Sequence, residues 1–327
     1  MAVILVTGGA GYVGSHACKA LAAAGHEPVV FDNLSTGWRD AVKFGPLIEG
    51  DLLDAASLEA AFAEVRPDAV MHFAALSNVG ESAEKPDLYW RNNVGGTLNL
   101  ISAMREQGVD RIVFSSTCAT YGEARGEALV ETDPQAPINP YGQTKLAVER
   151  MLADFGNGFG MRHVIFRYFN AAGASPDREI GEHHEPETHL IPLALDAVSG
   201  RRDHLTIFGS DYPTPDGTCV RDYIHVMDLA DAHLRGVDHL LRGGESLALN
   251  LGSRHGFSVR EVIDATTRVT GATCPHVEGP RRPGDPPRLV SGSAMAGDVL
   301  GWVPERSDLS AIVADAWAWH QTGKYDR

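Results

Sequence analysis

The sequence of 327 residues is poor in cysteine and in cationic side chains. Its four cysteines, Cys18, Cys118, Cys219 and Cys274, are far apart and form no Cys-x-x-Cys pair. This argues against a thiolate metal centre and against a disulfide framework. Lysine and arginine number 28, against 43 aspartates and glutamates, so the formal net charge is −15. A chain this acidic is not expected to bind nucleic acid or an anionic membrane surface.

Long apolar runs are also lacking. No run approaches the roughly 18 residues needed to span a bilayer, so no membrane partner is expected. The first residues carry no basic segment of the kind that opens a signal peptide. Together with the scattered cysteines, these absences predict a cytoplasmic protein. At about 150 residues per domain, the length fits two domains or one large α/β unit.

What the chain does have is a regular alternation of short apolar segments with helical segments. The apolar segments have the length and composition of strands that are buried on both faces. They cover residues 2–6, 28–32, 47–49, 69–73, 111–115 and 163–167. Helical patterns between them cover 12–24, 55–65, 92–107 and 141–155. This alternation predicts an α/β fold with a doubly wound parallel sheet of the Rossmann type.

After about residue 170 the chain becomes richer in polar loops. These loops are predicted over 173–188, 209–218 and 278–287. We therefore expect a Rossmann domain over 1–170, with returning segments near 220–252. Residues 171–327 are expected to form mainly a smaller mixed α/β domain that binds the substrate at the carboxyl edge of the sheet.

A glycine-rich turn joins the first strand to the first helix. Gly8, Gly11 and Gly14 are spaced three apart, which permits a tight turn and a close approach of the backbone to a pyrophosphate. Asp32 ends the second strand, 18 residues after Gly14, where a carboxylate accepts hydrogen bonds from ribose hydroxyls and repels a 2′-phosphate. The pattern predicts NAD rather than NADP as the cofactor. Asp51 is predicted to lie near the adenine.

A second motif is Tyr141-Gly-Gln-Thr-Lys145. Residues four apart share a helix face, so the Tyr141 hydroxyl and the Lys145 ammonium can approach the same volume. A tyrosine pKa of about 10 is too high for a base at neutral pH, but a nearby ammonium and an oxidised nicotinamide ring favour the phenolate. Tyr141 is therefore predicted to be a general base for a hydroxyl substrate. Thr117, just after the strand at 111–115, is predicted to share or relay the proton.

Together these motifs resemble the extended short-chain dehydrogenase/reductase superfamily and, within it, the UDP-glucose 4-epimerase family. The resemblance covers nearly the whole chain. It rests on residues 7–14, 31–34, 72–75, 79–82, 92–97, 141–145, 167–170, 220–230 and 280–285.

The resemblance implies an isomerase in which Tyr141 takes a proton from the sugar 4-hydroxyl while NAD takes a hydride from C4. The 4-keto sugar then turns over while the uridine diphosphate stays anchored. The family's further cofactor contacts match Tyr12, Val13, Asn33, Leu52, Phe73, Ala74, Ala75, Asn93, Ser115 and Phe169. Its substrate contacts match Thr117, Asn170, His189, Leu190, Thr206, Phe208, Arg221, Arg282 and Asp285.

Some positions depart from the family pattern. Thr117 stands where many members have serine, and Ser77 stands where some carry a cofactor-contacting lysine. Leu289 lies at the gate of the sugar pocket and is intermediate in size between the residues that select plain and N-acetylated sugars. The substrate is therefore left open between UDP-glucose or UDP-galactose, the pentoses UDP-xylose and UDP-arabinose, and UDP-N-acetylglucosamine.

Three further interpretations have less support in the sequence. His183, His184 and His189 lie among glutamates, but without regular ligand spacing, so no metal site is predicted. A sugar-nucleotide dehydratase would need an Asp-Glu pair after Thr117, where this chain has Cys118-Ala119. A non-catalytic NAD(H) sensor usually loses the Tyr-Lys pair, which is kept here.

The resemblance also implies a homodimer through the helices at 92–107 and 141–155.

Overall fold

The structure is organised around a seven-stranded sheet in which every pair of neighbours is parallel. It is a computed structural model that describes residues 1–123, 126–282, 285–322 and 325. The strands are β1 Val3–Thr7, β2 Glu27–Asp32, β3 Leu47–Glu49, β4 Ala69–His72, β5 Arg111–Thr117, β6 Arg162–Tyr168 and β10 Leu247–Leu251. The three strands that lie between β6 and β10 in the chain belong to other sheets. Their order across the sheet is β10-β6-β5-β4-β1-β2-β3. The direction of winding changes between β1 and β4, which is where ligands bind in such sheets.

Helices cover both faces of this sheet, as a doubly wound fold requires. Alternate strand residues supply the two cores: Ile4 and Val6 of β1 belong to one, and Leu5 belongs to the other. The first face carries helices α1 Tyr12–Ala23 and α8 Val226–Leu241. The second face carries α2 Ala55–Val65, α5 Gly96–Glu106 and α6 Pro140–Phe159. Both cores consist mainly of fully buried aliphatic side chains, the principal source of stability in a fold of this size.

Helix α6 has clear sequence signals at both ends. Asn139 is its N-cap and accepts a hydrogen bond from the amide of Gly142, and Pro140 occupies the first helical position. Gly160 ends the helix in the left-handed region at φ +72°. Since α6 carries Tyr141 and Lys145, these caps also set the position of the predicted catalytic pair.

The rest of the chain forms a smaller mixed α/β unit. Strands β7 Asn170–Ala172, β9 Val220–His225, β11 Gly256–Ser258 and β13 Arg288–Leu289 form one sheet, and β8 Leu205–Phe208 pairs with β12 His276–Gly279. Helices α7 Leu190–Val198, α9 Val259–Thr270 and α11 Leu309–Thr322 share a core with this unit. The remaining helices are α3 Val79–Glu84, α4 Pro86–Tyr89 and α10 Met295–Leu300.

The predicted fold class is confirmed, with local differences. The predicted helix 92–107 is in fact a π-helical turn, Trp90–Gly95, followed by α5. The helix predicted at 141–155 extends to Phe159. The loop predicted at 278–287 is wrong at its first two residues, which pair with β8, and Pro283 and Gly284 lie outside the described residues. Within the described ranges, no helix has the length and apolar character required for a membrane span.

A buried ion pair fixes α6 against the sheet. Glu149 on α6 accepts hydrogen bonds from Nη2 of Arg167 at 2.7 Å, from Oγ of Ser116 at 2.5 Å and from Nε2 of Gln135 at 2.9 Å. Nη1 of Arg167 donates to the Tyr121 hydroxyl at 3.0 Å. The two charged side chains are only 4% and 8% exposed. Because water hardly reaches either group, the Glu149 carboxylate and the Arg167 guanidinium must neutralise each other.

Glu149→Ala should lower the free energy of unfolding by about 3–5 kcal/mol, because it leaves the Arg167 guanidinium buried without its counter-charge. Urea unfolding followed by circular dichroism measures this. The matched control is Asp231→Ala, which breaks the half-exposed i,i+4 pair with Arg235 on α8 and should cost less than about 1 kcal/mol. Equal losses in the two variants would contradict the assigned role of the buried pair.

Candidate active site

The glycine turn after β1 leaves no room for side chains. Gly8 has φ +76°, and a Cβ there would lie 2.4 Å from the amide nitrogen of Ala74. A Cβ on Gly14 would lie 2.2 Å from the carbonyl oxygen of Gly8. Gly11 is the N-cap of α1 and has no side chain to cap the helix. The first-turn amides of α1, including those of Tyr12 and Val13, are therefore available to a phosphate group.

The end of β2 supplies the carboxylate predicted for the ribose. Asp32 is 8% exposed, and its two oxygens accept hydrogen bonds from the amides of Ala10 at 3.0 Å and Leu34 at 2.9 Å. Each carboxylate oxygen can accept more than one hydrogen bond, so both keep capacity for a ribose hydroxyl. Burial raises the pKa of Asp32, against the effect of the two amides. Beside it, Nδ2 of Asn33 donates to Asp51 at 2.9 Å.

The carboxyl end of β4 faces the same turn. Phe73, Ala74 and Ala75 follow the strand, and the amides of Phe73 and Ala74 both donate to the carbonyl oxygen of Thr7. Asn93 is buried, and its side chain connects this segment to α6. Its Oδ1 accepts a hydrogen bond from the Leu76 amide, and its Nδ2 donates to the Leu76 carbonyl oxygen and to Oγ1 of Thr144 on α6. These bonds give Asn93 a positioning function. Its direct contact with the cofactor stays a prediction, as do the contacts of Leu52, which is buried.

Lys145 is buried at the carboxyl end of β5. It is 4% exposed, its Nζ donates to the carbonyl oxygen of Ser115 at 2.8 Å, and it lies 4.8 Å from the centre of the Phe114 ring. Burial lowers the pKa of Lys145 to about 7, and the carboxylate of Glu149 one turn further along α6 opposes that shift. The lysine can therefore exchange its proton near neutral pH.

The neighbouring phenol holds its proton more strongly. Burial raises the pKa of Tyr141 well above its ordinary value, the nearby Tyr168 phenol adds to the rise, and a hydrogen bond with Thr117 opposes it. Thr117, on the end of β5, also accepts a hydrogen bond from the amide of Ala119 at 3.1 Å. For Tyr141 to act as a base, a positive charge must be brought beside it. An oxidised nicotinamide ring carries such a charge.

Some residues of this region were not predicted from the sequence. The Tyr168 hydroxyl shares a hydrogen bond of 2.6 Å with Oγ of Ser115. Oγ of Ser82 accepts a hydrogen bond from the Tyr141 amide at 3.2 Å. A signal for Glu149 was present, since it follows Lys145 by four residues and so shares its helix face. Tyr168 lies inside the Arg-Tyr-Phe-Asn segment but was not singled out.

The predicted substrate residues form two pairs in the smaller unit. The Arg221 guanidinium donates to the carboxylate of Asp285, so these two residues compensate each other's charge. The Arg282 guanidinium lies 4.0 Å from the centre of the Phe208 ring. Thr206 is half-buried on the same strand as Phe208. Each pair brings together an arginine and another of the predicted substrate contacts.

The other predicted substrate contacts come from separate elements of the structure. Nδ2 of Asn170 donates to the carbonyl oxygen of Asp222 at 2.9 Å. Phe169 is buried, and Leu289 packs against the same small cluster, beside Cys118. His189 is the N-cap of α7, and Leu190 is its first residue. The proposed gate is therefore next to the end of β5, where Thr117 lies.

Comparison with known proteins identifies this arrangement. A family model described as the NAD dependent epimerase/dehydratase family matches residues 4–252. The chain belongs to this family. A UDP-glucose 4-epimerase from Rhizobium leguminosarum bv. trifolii is 54% identical over 317 residues, which cover 97% of each chain.

Solved structures of this epimerase/dehydratase family agree with the fold. A UDP-glucose 4-epimerase from Brucella ovis in complex with NAD superposes with a TM-score of 0.95 at 51% identity, over 97% of this chain and 98% of that one. A UDP-glucose-4-epimerase from Stenotrophomonas maltophila, with bound NAD and formylated UDP-arabinopyranose, has a TM-score of 0.95 at 39% identity and covers 98% of both chains.

Gly14→Ala should weaken NAD binding by at least about tenfold, because a Cβ at this position collides with the Gly8 carbonyl and must displace the turn. Equilibrium titration of NAD-free protein, followed by nicotinamide or tryptophan fluorescence, measures the affinity. The matched control is Gly158→Ala on α6, where no described heavy atom lies within 4 Å of the added Cβ. Unchanged NAD affinity in Gly14→Ala would refute the proposed position of the pyrophosphate.

Lys145 should also make the stability of the NAD-free protein depend on pH. Between pH 7 and about 10, the unfolded chain keeps a proton on Lys145 that the folded chain has released. The unfolded state then binds more protons, so the wild type gains stability with rising pH relative to a Lys145→Met variant. Urea unfolding of both proteins from pH 7 to 10 measures the difference. Parallel stability curves would contradict the lowered pKa.

Proposed function

We propose that this protein is an NAD-dependent isomerase that epimerises C4 of a UDP-hexose, interconverting UDP-galactose and UDP-glucose through a 4-keto sugar. The observation that carries the proposal is the group of Tyr141, Lys145 and Thr117 at the carboxyl end of β5, in which Lys145 and Thr117 are buried and Tyr141 is half-buried. The relatives named UDP-glucose 4-epimerase support it over nearly the whole chain.

The residues present fit NAD. The turn would hold the pyrophosphate, and Asp32 would accept hydrogen bonds from the adenosine ribose. When bound, NAD supplies a reversible acceptor for a hydride and a positive charge near the site. Tyr141 takes the proton of the 4-hydroxyl and later returns it, while the Lys145 ammonium stabilises the phenolate. The Thr117 hydroxyl, at the end of β5, would orient that proton transfer.

The substrate must be held firmly by its nucleotide and loosely by its sugar. Arg221 and Arg282 lie in the smaller unit and are suited to bind a diphosphate, because a guanidinium can form two parallel hydrogen bonds to such a group. Asn170, His189, Leu190, Thr206, Phe208 and Asp285 complete the proposed UDP-sugar contacts. On this proposal residues 171–327 bind mainly the UDP-sugar, and residues 1–170 with returning segments near 220–252 bind NAD.

The sugar itself is the second question. Leu289 and Cys118 both pack against the small cluster that contains Phe169, and Cys118 directly follows β5. A residue of this size leaves more space for the sugar than tyrosine would. A UDP-pentose or UDP-N-acetylglucosamine is therefore the second candidate substrate class, and the structure with formylated UDP-arabinopyranose favours testing pentoses first.

Two other functions have less support. A dehydratase would need an acid–base pair after Thr117, and the chain has Cys118 and Ala119 there, in a short 3₁₀ turn. The pKa of the Cys118 thiol is raised to about 12 by burial, so it is a poor base or nucleophile. A non-catalytic NAD(H) sensor would not need a buried lysine on the same helix face as a tyrosine, and burying a lysine is costly.

We also propose a homodimer in the cytoplasm. Leu98 on α5 and Trp90 on the preceding turn are each 45% exposed, and Phe159 at the end of α6 is 56% exposed. These apolar side chains lie on or beside the two helices that the sequence assigned to a dimer interface. The four cysteines are free thiols, which suits a reducing compartment.

Tyr141→Phe should lower the rate of UDP-galactose conversion by about 10²–10⁴-fold while NAD stays bound, because the general base is removed and the turn is untouched. Proton NMR of UDP-galactose and UDP-glucose, with UDP-xylose and UDP-N-acetylglucosamine as further substrates, measures turnover. Tyr212→Phe is the matched control, since the Tyr212 hydroxyl forms no hydrogen bond with any described residue. No turnover of any of these sugars by the wild type, with NAD supplied, would refute the proposed function.

A further inference from the structure

Four potential metal ligands meet in the loop before α7, and one of them, His189, is also among the proposed UDP-sugar contacts. They are Glu182, His184, Glu187 and His189, which we call the Glu-His cluster. One ligand atom from each lies within 4.8 Å of the other three. Nδ1 of His189 is 2.9 Å from an Oε1 of Glu182 and 3.1 Å from Oε1 of Glu187. Nδ1 of His184 is 3.3 Å from Glu182 and 3.7 Å from Glu187.

These separations are of the size that a shared metal ion requires. With metal–nitrogen and metal–oxygen distances of about 2.0–2.2 Å, the ligand atoms of a tetrahedral zinc ion lie about 3.3–3.6 Å apart. The His184–Glu182 separation of 3.3 Å lies in this range, the two His189 separations of 2.9 and 3.1 Å are shorter, and His184 lies 3.7 Å from the second oxygen of Glu187, Oε2. Two imidazole nitrogens and two carboxylate oxygens are a donor set that suits zinc and related transition ions better than magnesium or calcium, which prefer oxygen alone.

Two of the ligand atoms also lack a hydrogen-bond partner. Oε1 of Glu182 and Nδ1 of His184 are buried, and neither forms a hydrogen bond of acceptable geometry with any described residue. Their short approach is thus a contact between charged atoms without hydrogen-bond alignment. The Glu182 side chain is only 5% exposed. A buried carboxylate oxygen in this state needs a nearby positive charge, which either a metal ion or the protonated imidazoles can supply.

We propose that the Glu-His cluster binds one divalent transition-metal ion of the zinc class, coordinated by Glu182, His184, Glu187 and His189. The ion would have a structural function, since the catalytic chemistry proposed above needs no metal. It would close the loop 182–189 into a rigid unit at the point where α7 begins.

The surroundings fix the backbone that carries the first residues of the cluster. The indole N–H of Trp319 donates to the carbonyl oxygen of Glu182 at 2.9 Å, and that of Trp38 donates to the carbonyl oxygen of His183 at 2.8 Å. The Tyr325 hydroxyl accepts from the amide of Gly181 at 3.0 Å. The His184 ring meets the Tyr12 ring edge-on at 6.2 Å, which connects the cluster to the first turn of α1.

The competing state is a network of ion pairs without metal. Burial lowers the pKa of both imidazoles, but Glu182 and Glu187 outweigh it, raising the pKa of His184 to about 9 and that of His189 to about 10. A bound ion must displace both protons, because protonated imidazole cannot coordinate a metal. The metal and the ion pairs are therefore alternatives that a binding experiment separates.

The test is equilibrium dialysis of the untagged, chelator-treated full chain against zinc at pH 8, with elemental analysis. Visible absorption of the cobalt(II) form reports four-coordination. The wild type should bind one ion per chain. His184→Ala and the conservative Glu187→Gln should each weaken binding by about tenfold or more, since even outer-shell losses cost that much. His204→Ala, an exposed histidine outside the cluster, is the matched control and should bind as the wild type does.

Circular dichroism of each variant establishes that it is folded. Failure of the wild type to bind one ion per chain would overturn the proposal and leave the ion-pair network. Equal binding by His184→Ala, Glu187→Gln and the wild type would overturn it too, since the ion would then lie elsewhere. Because the readout is metal content and absorption, its failure is independent of whether the protein epimerises UDP-sugars.

Discussion

The buried ion pair between Glu149 and Arg167 is the constraint on which the catalytic region depends. Arg167 belongs to β6, and Ser116, which also bonds to Glu149, belongs to β5. Glu149 thereby fixes the rotation of α6 over the ends of both strands. Lys145 and Tyr141 lie one and two turns earlier on the same helix face. A rotation of α6 would remove Lys145 from the Ser115 carbonyl and Tyr141 from Thr117 together.

Burial then sets the chemistry of that group. The same desolvation lowers the pKa of the Lys145 ammonium and raises that of the Tyr141 phenol, since both neutral forms are favoured away from water. In such a site Tyr141 stays protonated until a positive charge is bound beside it, so its proton transfer depends on cofactor binding. The chain as a whole has a net charge of −15. The protonation of Tyr141 and Lys145 is therefore set by burial and by local cations more than by the overall charge.

A second cluster of charges lies in the loop that leads into α7. The loop 182–189 contacts α1 through Tyr12 and His184, and it ends where α7 begins. It therefore connects the nucleotide-binding turn with the smaller unit. Indole and phenol groups from Trp38, Trp319 and Tyr325 fix the backbone of its first residues. In both the metal-bound state and the state of ion pairs between protonated histidines and glutamates, residues distant in the chain fix the position of the loop.

The sequence alone determined the features that depend on near neighbours in the chain. Apolar runs, caps and turn glycines are local, so β3 and α2 were predicted at their observed bounds, and the turn from Gly8 to Gly14 was recognised with Asp32. The pair Tyr141 and Lys145 follows from helix spacing. Local patterns could not show that the helix predicted at 92–107 begins as a π-helical turn, since its first residues are also held from outside, for instance by bonds between Asn93 and Leu76.

Only the tertiary structure decided which distant groups meet. Glu149 joins Arg167 and Ser116, Tyr168 joins Ser115, and Arg221 joins Asp285, and none of these contacts has a sequence spacing that reveals it. The Glu-His cluster also could not be found from sequence spacing, because the spacing of its residues is irregular and predicted no metal site. The loop nevertheless brings four potential ligand atoms together. Its backbone is fixed by hydrogen bonds from side chains that are remote in the sequence. Helices and strands repeat with a period that sequence displays, whereas such loops follow contacts that exist only after folding.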